Sequence, residues 1–391
     1  MGKRISTEVL RHWAPVAVCL LMILVLLAVP TGYEGAALYQ EAERCSARVL
    51  EVDNSTILDT GLVRSGEQRC TVELLTGAFR GEIVTAVNML NGSLEQDKIF
   101  APGDRALVVV SHDGDEITNV TMSDHDRLGW EAVMAALFAL FLLLFAGPAG
   151  IRAILSFVVT VLAIWKVLIP LYLRGVDPIW LGLALTLVLT VLIIALVYGF
   201  DRRCAAAVSG SFLGILVTAL LGIFFTQRLQ IHGAVMAYSE SLLYSGYQHL
   251  DLTRIFMASI FLGASGAVMD LSVDITSAVW EVVEKRPDLS WRAAVRSGVN
   301  VGRAAMGTMT TTLLFAYSGG YVALLMVFMA QGTPISHILN YKYVAAELVH
   351  TILGSFGLVS VAPFTAFCAA VLSTRRRSQG RQGQSLEPGL E

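Results

Sequence analysis

Apolar runs long enough to cross a bilayer recur along this chain, and nothing else in it limits the fold as tightly. A helix needs about 20 apolar residues to span a hydrocarbon core of about 30 Å. Eight segments fit that length: 13–30, 130–148, 151–173, 178–199, 204–226, 254–280, 304–330 and 343–372. Only 15% of the 391 residues are charged, against roughly 25% in soluble domains. The expectation is a mainly α, polytopic membrane protein with eight transmembrane helices. The first run follows Lys3, Arg4 and Arg11 as the core of a signal peptide would, but no small-residue cleavage site stands at Pro30-Thr31-Gly32. Residues 1–30 therefore read as an uncleaved anchor.

Basic residues orient these spans. With the N-terminus inside, the inner side holds Lys3, Arg4, Arg11, Arg152, Arg202, Arg203, the group from Lys285 to Arg303, Arg375, Arg376, Arg377 and Arg381. The short outer loops hold Arg174, Arg228, Arg254 and Lys342. This asymmetry follows the positive-inside rule and places both termini in the cytoplasm. The chain then divides into an anchor (1–30), an exported region (31–128), a seven-helix membrane domain (129–373) and a disordered tail (374–391). The Arg375–Arg377 cluster is a stop-transfer flank, so nucleic-acid binding is not expected.

The exported region alternates in the manner of short strands, with ARVLEV at 47–52, RCTVELL at 69–75, GEIVTAV at 81–87 and RALVVV at 105–110. Turn residues separate them, which predicts a small β-barrel or β-sandwich. Cys45 and Cys70 lie here, where disulfides can form, so a bond between them and two free thiols are both open. HDGDEITN at 112–119 lacks the register and terminal Glu of an EF-hand and reads as a hairpin turn. Two amphipathic helices at the membrane surface are expected, over 231–253 outside and 287–300 inside.

The segment GAVMDLSVDITSAVWE (266–281) puts acidic residues inside an apolar run. At 100° per residue, Asp274, Ser277 and Glu281 fall at about 40, −20 and 20° from Asp270, and Gly263 and Gly266 extend the stripe. A charge in the bilayer is costly, so such a face must look into the bundle or a wet cavity. Asp270 and Asp274 are thus candidate proton or cation sites. Alternatively they pair with Lys166 of the third span or Arg303 at the start of the seventh and simply fix packing. Glu281 suits an interfacial pair with Arg303 or Arg296. On the seventh span Thr308 and Thr311 offer oxygens, and on the eighth Glu347, His350 and Gly354 share one face. Glu347 is a third candidate ion site, in the other half of the membrane, and the stripe is expected to face these two spans.

GAVMDLSVDITSAVWEVVEKRPDLSWRAAVRSGVNVGRAAMGTMTTTLLFAYSGG together with ELVHTILGSFGLVSVAPFTA resembles the core of the YibE/F family of bacterial membrane proteins. The resemblance implies weight on Asp270, Glu281, Asn300, Gly302, Arg303, Gly307, Thr308, Glu347, Gly354 and Pro363, and a bacterial plasma-membrane location. Where the family often carries an acidic residue after Gly-Arg, this chain has Ala304. The order of exported domain, G-x-x-x-D helix, basic segment and Thr-rich span is also similar, more loosely, to SecD/SecF and RND-type proton-driven permeases. The resulting expectation is a secondary transporter or ion-coupled permease with Asp270 as the ion site and Asn300, Arg303, Thr308, Thr311, His350, Lys166 and Glu281 as a supporting polar network. The alternative is a scaffold that binds a partner through its exported domain. Neither HExxH nor a serine-protease pattern is present, and an aspartyl protease needs its two carboxylates on different helices, so no enzyme, cofactor or metal is expected. Partners are the bilayer and an unidentified small molecule, ion or protein cargo, with association into a homo-oligomer left open.

Overall fold

The computed structural model describes residues 2–33 and 42–384. It divides into two units, Glu34–Gly150, and Met1–Tyr33 with Ile151–Glu391.

The first unit holds six strands: β1 (Ala42–Asp53), β2 (Leu58–Asp59), β3 (Arg64–Leu74), β4 (Ile83–Asn91), β5 (Arg105–Asp113) and β6 (Glu116–His125). They run in the order β1-β5-β6-β4-β3-β2, and β1 also pairs with β3. That extra pairing closes five strands into a barrel, with β2 a short addition to β3. All pairs are antiparallel except β4 with β6, which meet at Val87 and Thr121. The connectivity is that of an OB-fold. A sandwich is thereby excluded, because one sheet closes on itself and leaves no second sheet to pack against. The alternation read from the sequence decides what lies inside: Ala47, Val49, Val72, Leu74, Val108 and Val110 are buried. Asp113 and Glu116 flank a two-residue turn in which Gly114 takes a φ of 60°, so HDGDEITN is a hairpin.

A polar centre closes the barrel interior. Gln68 is fully buried and Asn88 nearly so. Gln68 Nε2 donates to Asn54 Oδ1 (2.8 Å) and to the Phe100 carbonyl (2.9 Å). Its Oε1 accepts from the Phe100 amide (3.0 Å) and from Asn88 Nδ2 (3.1 Å), which also donates to the Lys98 carbonyl (2.6 Å). The amides thus pin the 92–104 connection to the barrel wall.

Cys45 and Cys70 are both free and buried, so of the two open readings the structure has the two thiols. On the β1–β3 ladder Cys70 lies opposite Val52. Val52 is seven residues from Cys45, about 23 Å of strand, whereas a disulfide needs Cα atoms within about 7 Å. Burial pushes the Cys70 thiol up to about 11. Helix α2 (Leu128–Ala146) completes this unit, and none of its residues is buried within it.

The second unit is helical. It comprises α1 (Gly2–Ala28) and α3 (Pro148–Ala163), which passes through a π-turn (Ile164–Leu168) into α4 (Ile169–Leu173). There follow α5 (Pro178–Tyr198), α6 (Arg202–Arg228), α7 (Ser239–Tyr244), α8 (Leu252–Lys285) and α9 (Trp291–Ser318). A 3₁₀ turn (Gly319–Tyr321) then leads to α10 (Val322–Ala330), α11 (Ile335–Asn340) and α12 (Lys342–Gln384). Among the described residues seven helices, α2 included, are long and apolar enough to cross a membrane. The described apolar part of α1, Trp13–Ala28, is shorter. Seven of the eight expected spans are thus found among the described residues, and these are the helices of an integral membrane protein.

Three local readings change. Ser290 caps a single helix that runs to Ser318, its hydroxyl accepting from the Ala293 amide (3.3 Å). The basic segment expected to be a separate surface helix therefore forms the first turns of α9. The outer segment 231–253 forms only a short turn at Gly233–Val235 and the six-residue α7, not one amphipathic helix. Finally, α12 continues through Gln384, taking in the start of the segment expected to be a tail, whereas 385–391 lies outside the described residues.

Helix α8 is the centre of this unit. Its buried face (Val268, Leu271, Ser272, Ile275, Thr276, Val279) packs among α5, α6, α9 and α12. Small residues allow close approach. A side chain on Gly302 would meet Ala362 Cβ at 2.7 Å, and one on Gly354 would meet Ala264 Cβ at 3.3 Å.

Candidate functional site

Two polar regions lie on α8, about one third of its length apart. The register of its neighbours fixes their levels. Gly298 packs on Val279 and Gly302 on Ile275, while Tyr317 reaches Gly263, so α9 runs antiparallel to α8. Ser259 faces His350 and Ala264 faces Gly354, so α12 runs parallel to it. Glu347 is thus level with about residue 257, and Asp270 lies about 13 residues or 20 Å further along the helix.

At the Asp270 level the stripe is as the helical wheel places it, but its direction differs from the expectation. Gly263, Gly266, Asp270, Asp274, Ser277 and Glu281 are all exposed on the side of α8 opposite its packing core. The stripe therefore does not point at the eighth span: α6 and α12 take the opposite face, where Ser211 and Ser272 hydroxyls meet at 2.5 Å, and the seventh span meets the stripe at its Gly263 end, through Tyr317. One contact joins the stripe to α5. The Tyr198 hydroxyl lies 2.6 Å from Ser277 Oγ and donates to the Val273 carbonyl at 2.6 Å.

Neither Asp270 nor Asp274 has an ion-pair or hydrogen-bond partner among the described residues. Pairing with Lys166 or Arg303 is thereby excluded in this conformation. Lys166 is half-buried in the π-turn Ile164–Leu168, a feature often found at functional positions. Glu281 binds Lys285 one turn on (2.6 Å), not Arg303 or Arg296, because an i,i+4 neighbour on the same helix is the nearer cation. The supporting network is likewise not assembled. Asn300, Arg303, Thr308 and Thr311 are exposed, and the threonine hydroxyls donate to Ala305 and Gly307 carbonyls of their own helix.

The second region does come together. His350 stacks edge-on to Phe256 (4.9 Å between ring centres) and tilts against Tyr317 (5.6 Å). Its Nε2 lies 3.4 Å from Ser259 Oγ. Glu347 stands close enough to act electrostatically on Tyr317 and Tyr321. Its Oε1 is sealed from solvent and has no hydrogen-bond partner among the described residues. Sequence reasoning had Glu347 and His350 but missed Tyr317, Tyr321 and Ser259. Ser259 was legible, since it falls about −20° from Asp270 on the same wheel. The tyrosines carried no comparable signal, because an aromatic residue in an apolar run reads as core.

No group of three or more His, Cys, Asp or Glu side chains among the described residues could hold a metal ion. The arrangement can make and break hydrogen bonds to a single carboxylate at one level and expose two carboxylates at another. A family model described as YibE/F-like protein matches residues 134–375. No curated protein and no solved structure is significantly similar to the chain.

Proposed function

The chain belongs to the YibE/F-like family, and from that premise we propose that it is a secondary transporter or ion-coupled permease with Asp270 as its proton or cation site. The observation that carries this reading is Asp270 itself, an exposed carboxylate inside an apolar run of α8 that has no ion-pair or hydrogen-bond partner among the described residues. Asp274 lies one turn away, and Glu347 forms a second station about 20 Å distant. Carboxylates at membrane depth are costly, and those that persist there mark ion or proton paths. In this reading the protein lies in the bacterial plasma membrane with both termini in the cytoplasm and residues 31–128 outside. Its cargo is a small molecule, ion or protein, and neither catalysis nor nucleic acid is involved.

The test is proton flux into proteoliposomes holding a pH dye, under an imposed gradient. Asp270→Asn is expected to reduce flux to that of empty vesicles, and unchanged flux sinks the reading. A second reading, an adaptor that binds a partner through its barrel, has one observation in its favour. Leu62 and Leu94, 76% and 73% exposed, line one groove of the barrel, and apolar side chains gathered on a surface mark interaction sites. A photo-cross-linker at Leu62 in cells would trap that partner.

A further inference from the structure

Tyr317 of α9 tilts against His350 of α12, and Glu347 lies one turn before that histidine, yet no hydrogen bond joins the tyrosine to the carboxylate. Glu347 Oε1 is enclosed and unpaired, although buried polar groups are almost always hydrogen-bonded. The Tyr317 hydroxyl makes no hydrogen bond among the described residues. It presses instead against Gly263, in the space that a side chain on that residue would fill. Gly263 belongs to the exposed stripe and lies seven residues before Asp270. Any larger residue there would evict the hydroxyl, so the glycine is what lets Tyr317 reach the stripe at all. His350, held between Phe256 and Tyr317 and backed by Ser259, forms a fixed wall beside the ring.

We propose that Tyr317 is a two-position link between the ion stations. In the position seen here its hydroxyl lies at the Gly263 end of the stripe and leaves Glu347 unbound. In the other, rotation about the Cα–Cβ bond brings the hydroxyl to Glu347 Oε1, to which it donates. Tyr317 keeps its proton throughout and acts as a positioning residue: it holds Glu347 in one state and releases it in the other. The alternation gives the carrier reading, on which its transport role rests, a means of keeping the Glu347 and Asp270 levels from being open to each other at once.

The experiment follows the Glu347 carboxyl band by infrared spectroscopy on the full chain in lipid, with Glu347→Gln identifying the band. Wild type is expected to show two components, one hydrogen-bonded and one free. Gly263→Ala closes the gap at the stripe and should leave the bonded component alone, whereas Tyr317→Phe should leave the free one alone. Tyr321→Phe, which removes the other nearby hydroxyl, should keep the wild-type pattern. A Tyr317→Phe band identical to wild type overturns the proposal, as does a Tyr321→Phe variant that loses the bonded component. Flux measured on the same preparations separates the two readings. Asp270-dependent flux with an indifferent Glu347 band leaves the carrier standing and removes the link. A responsive band with flux insensitive to Asp270→Asn does the reverse.

Discussion

The chain encloses two polar centres, and they are built on opposite principles. In the barrel, Gln68 and Asn88 are buried with donors and acceptors matched to Asn54, Lys98 and Phe100. In the helical unit, Glu347 has an enclosed oxygen with no partner among the described residues. A matched centre fixes one conformation, because every alternative leaves several groups unsatisfied. An unmatched one sits in an arrangement that other conformations can improve, so it is where movement is to be expected. In the proposed reading the first centre serves stability and the second serves transport.

Substitution should separate the two. Gln68→Ala orphans the Phe100 amide and one Asn88 donor and opens a hole in the core. Each unpaired group costs about 1–3 kcal/mol, so the barrel should lose roughly 3–5 kcal/mol. Hydrogen exchange of barrel amides in the intact protein would show this as lost protection, and a change under about 1 kcal/mol would mean the network is ornamental. Glu347→Gln keeps the shape and removes the charge. Its unfolding midpoint in detergent should stay within about 1 kcal/mol of wild type, while proton flux in liposomes falls to background. A loss of about 3 kcal/mol or more would instead mark Glu347 as one half of a structural buried pair, and the contrast would collapse.

How much of this was legible in the sequence depends on the range of the interaction. The spans, the alternating strands and the stripe from Asp270 to Glu281 follow from local period, which each segment carries in itself. The direction of the stripe did not follow, because it depends on how α8 packs with α6 and α12, and those contacts are set by small residues far apart in sequence. Gly302 and Gly354 illustrate this: each is unremarkable alone and decisive only against Ala362 and Ala264. The partner of Glu281 was misjudged because Arg303 and Arg296 were weighed on the next helix, whereas Lys285 lies one turn away on the same helix. The barrel's closure was equally hidden, since alternation specifies strands but not that β1 bonds to both β3 and β5.

The smallest effect sharpens the contrast from the barrel's side. The matched centre of Gln68 and Asn88 is uncharged, so its contribution should not vary with pH. The loop beside it should vary, because Asp97 accepts from the Asn91 amide (2.9 Å) and the Ser93 amide (2.8 Å). Those bonds, that from Asn91 foremost, hold its carboxyl below the ordinary aspartate range. A carboxyl whose pKa is lower in the folded state than in the unfolded one stabilises the fold fully above the unfolded value of about 3.9, and less as pH falls through the folded value. Protection of the Asn91 and Ser93 amides should therefore weaken below about pH 4 and recover on neutralisation, while the Phe100 amide, bound to Gln68, should hold. Asp97→Asn should flatten that response without altering the Phe100 signal. If Phe100 and Asn91 lose protection together, the loop and the amide centre are one cooperative unit, and the closed network extends further than its hydrogen bonds indicate.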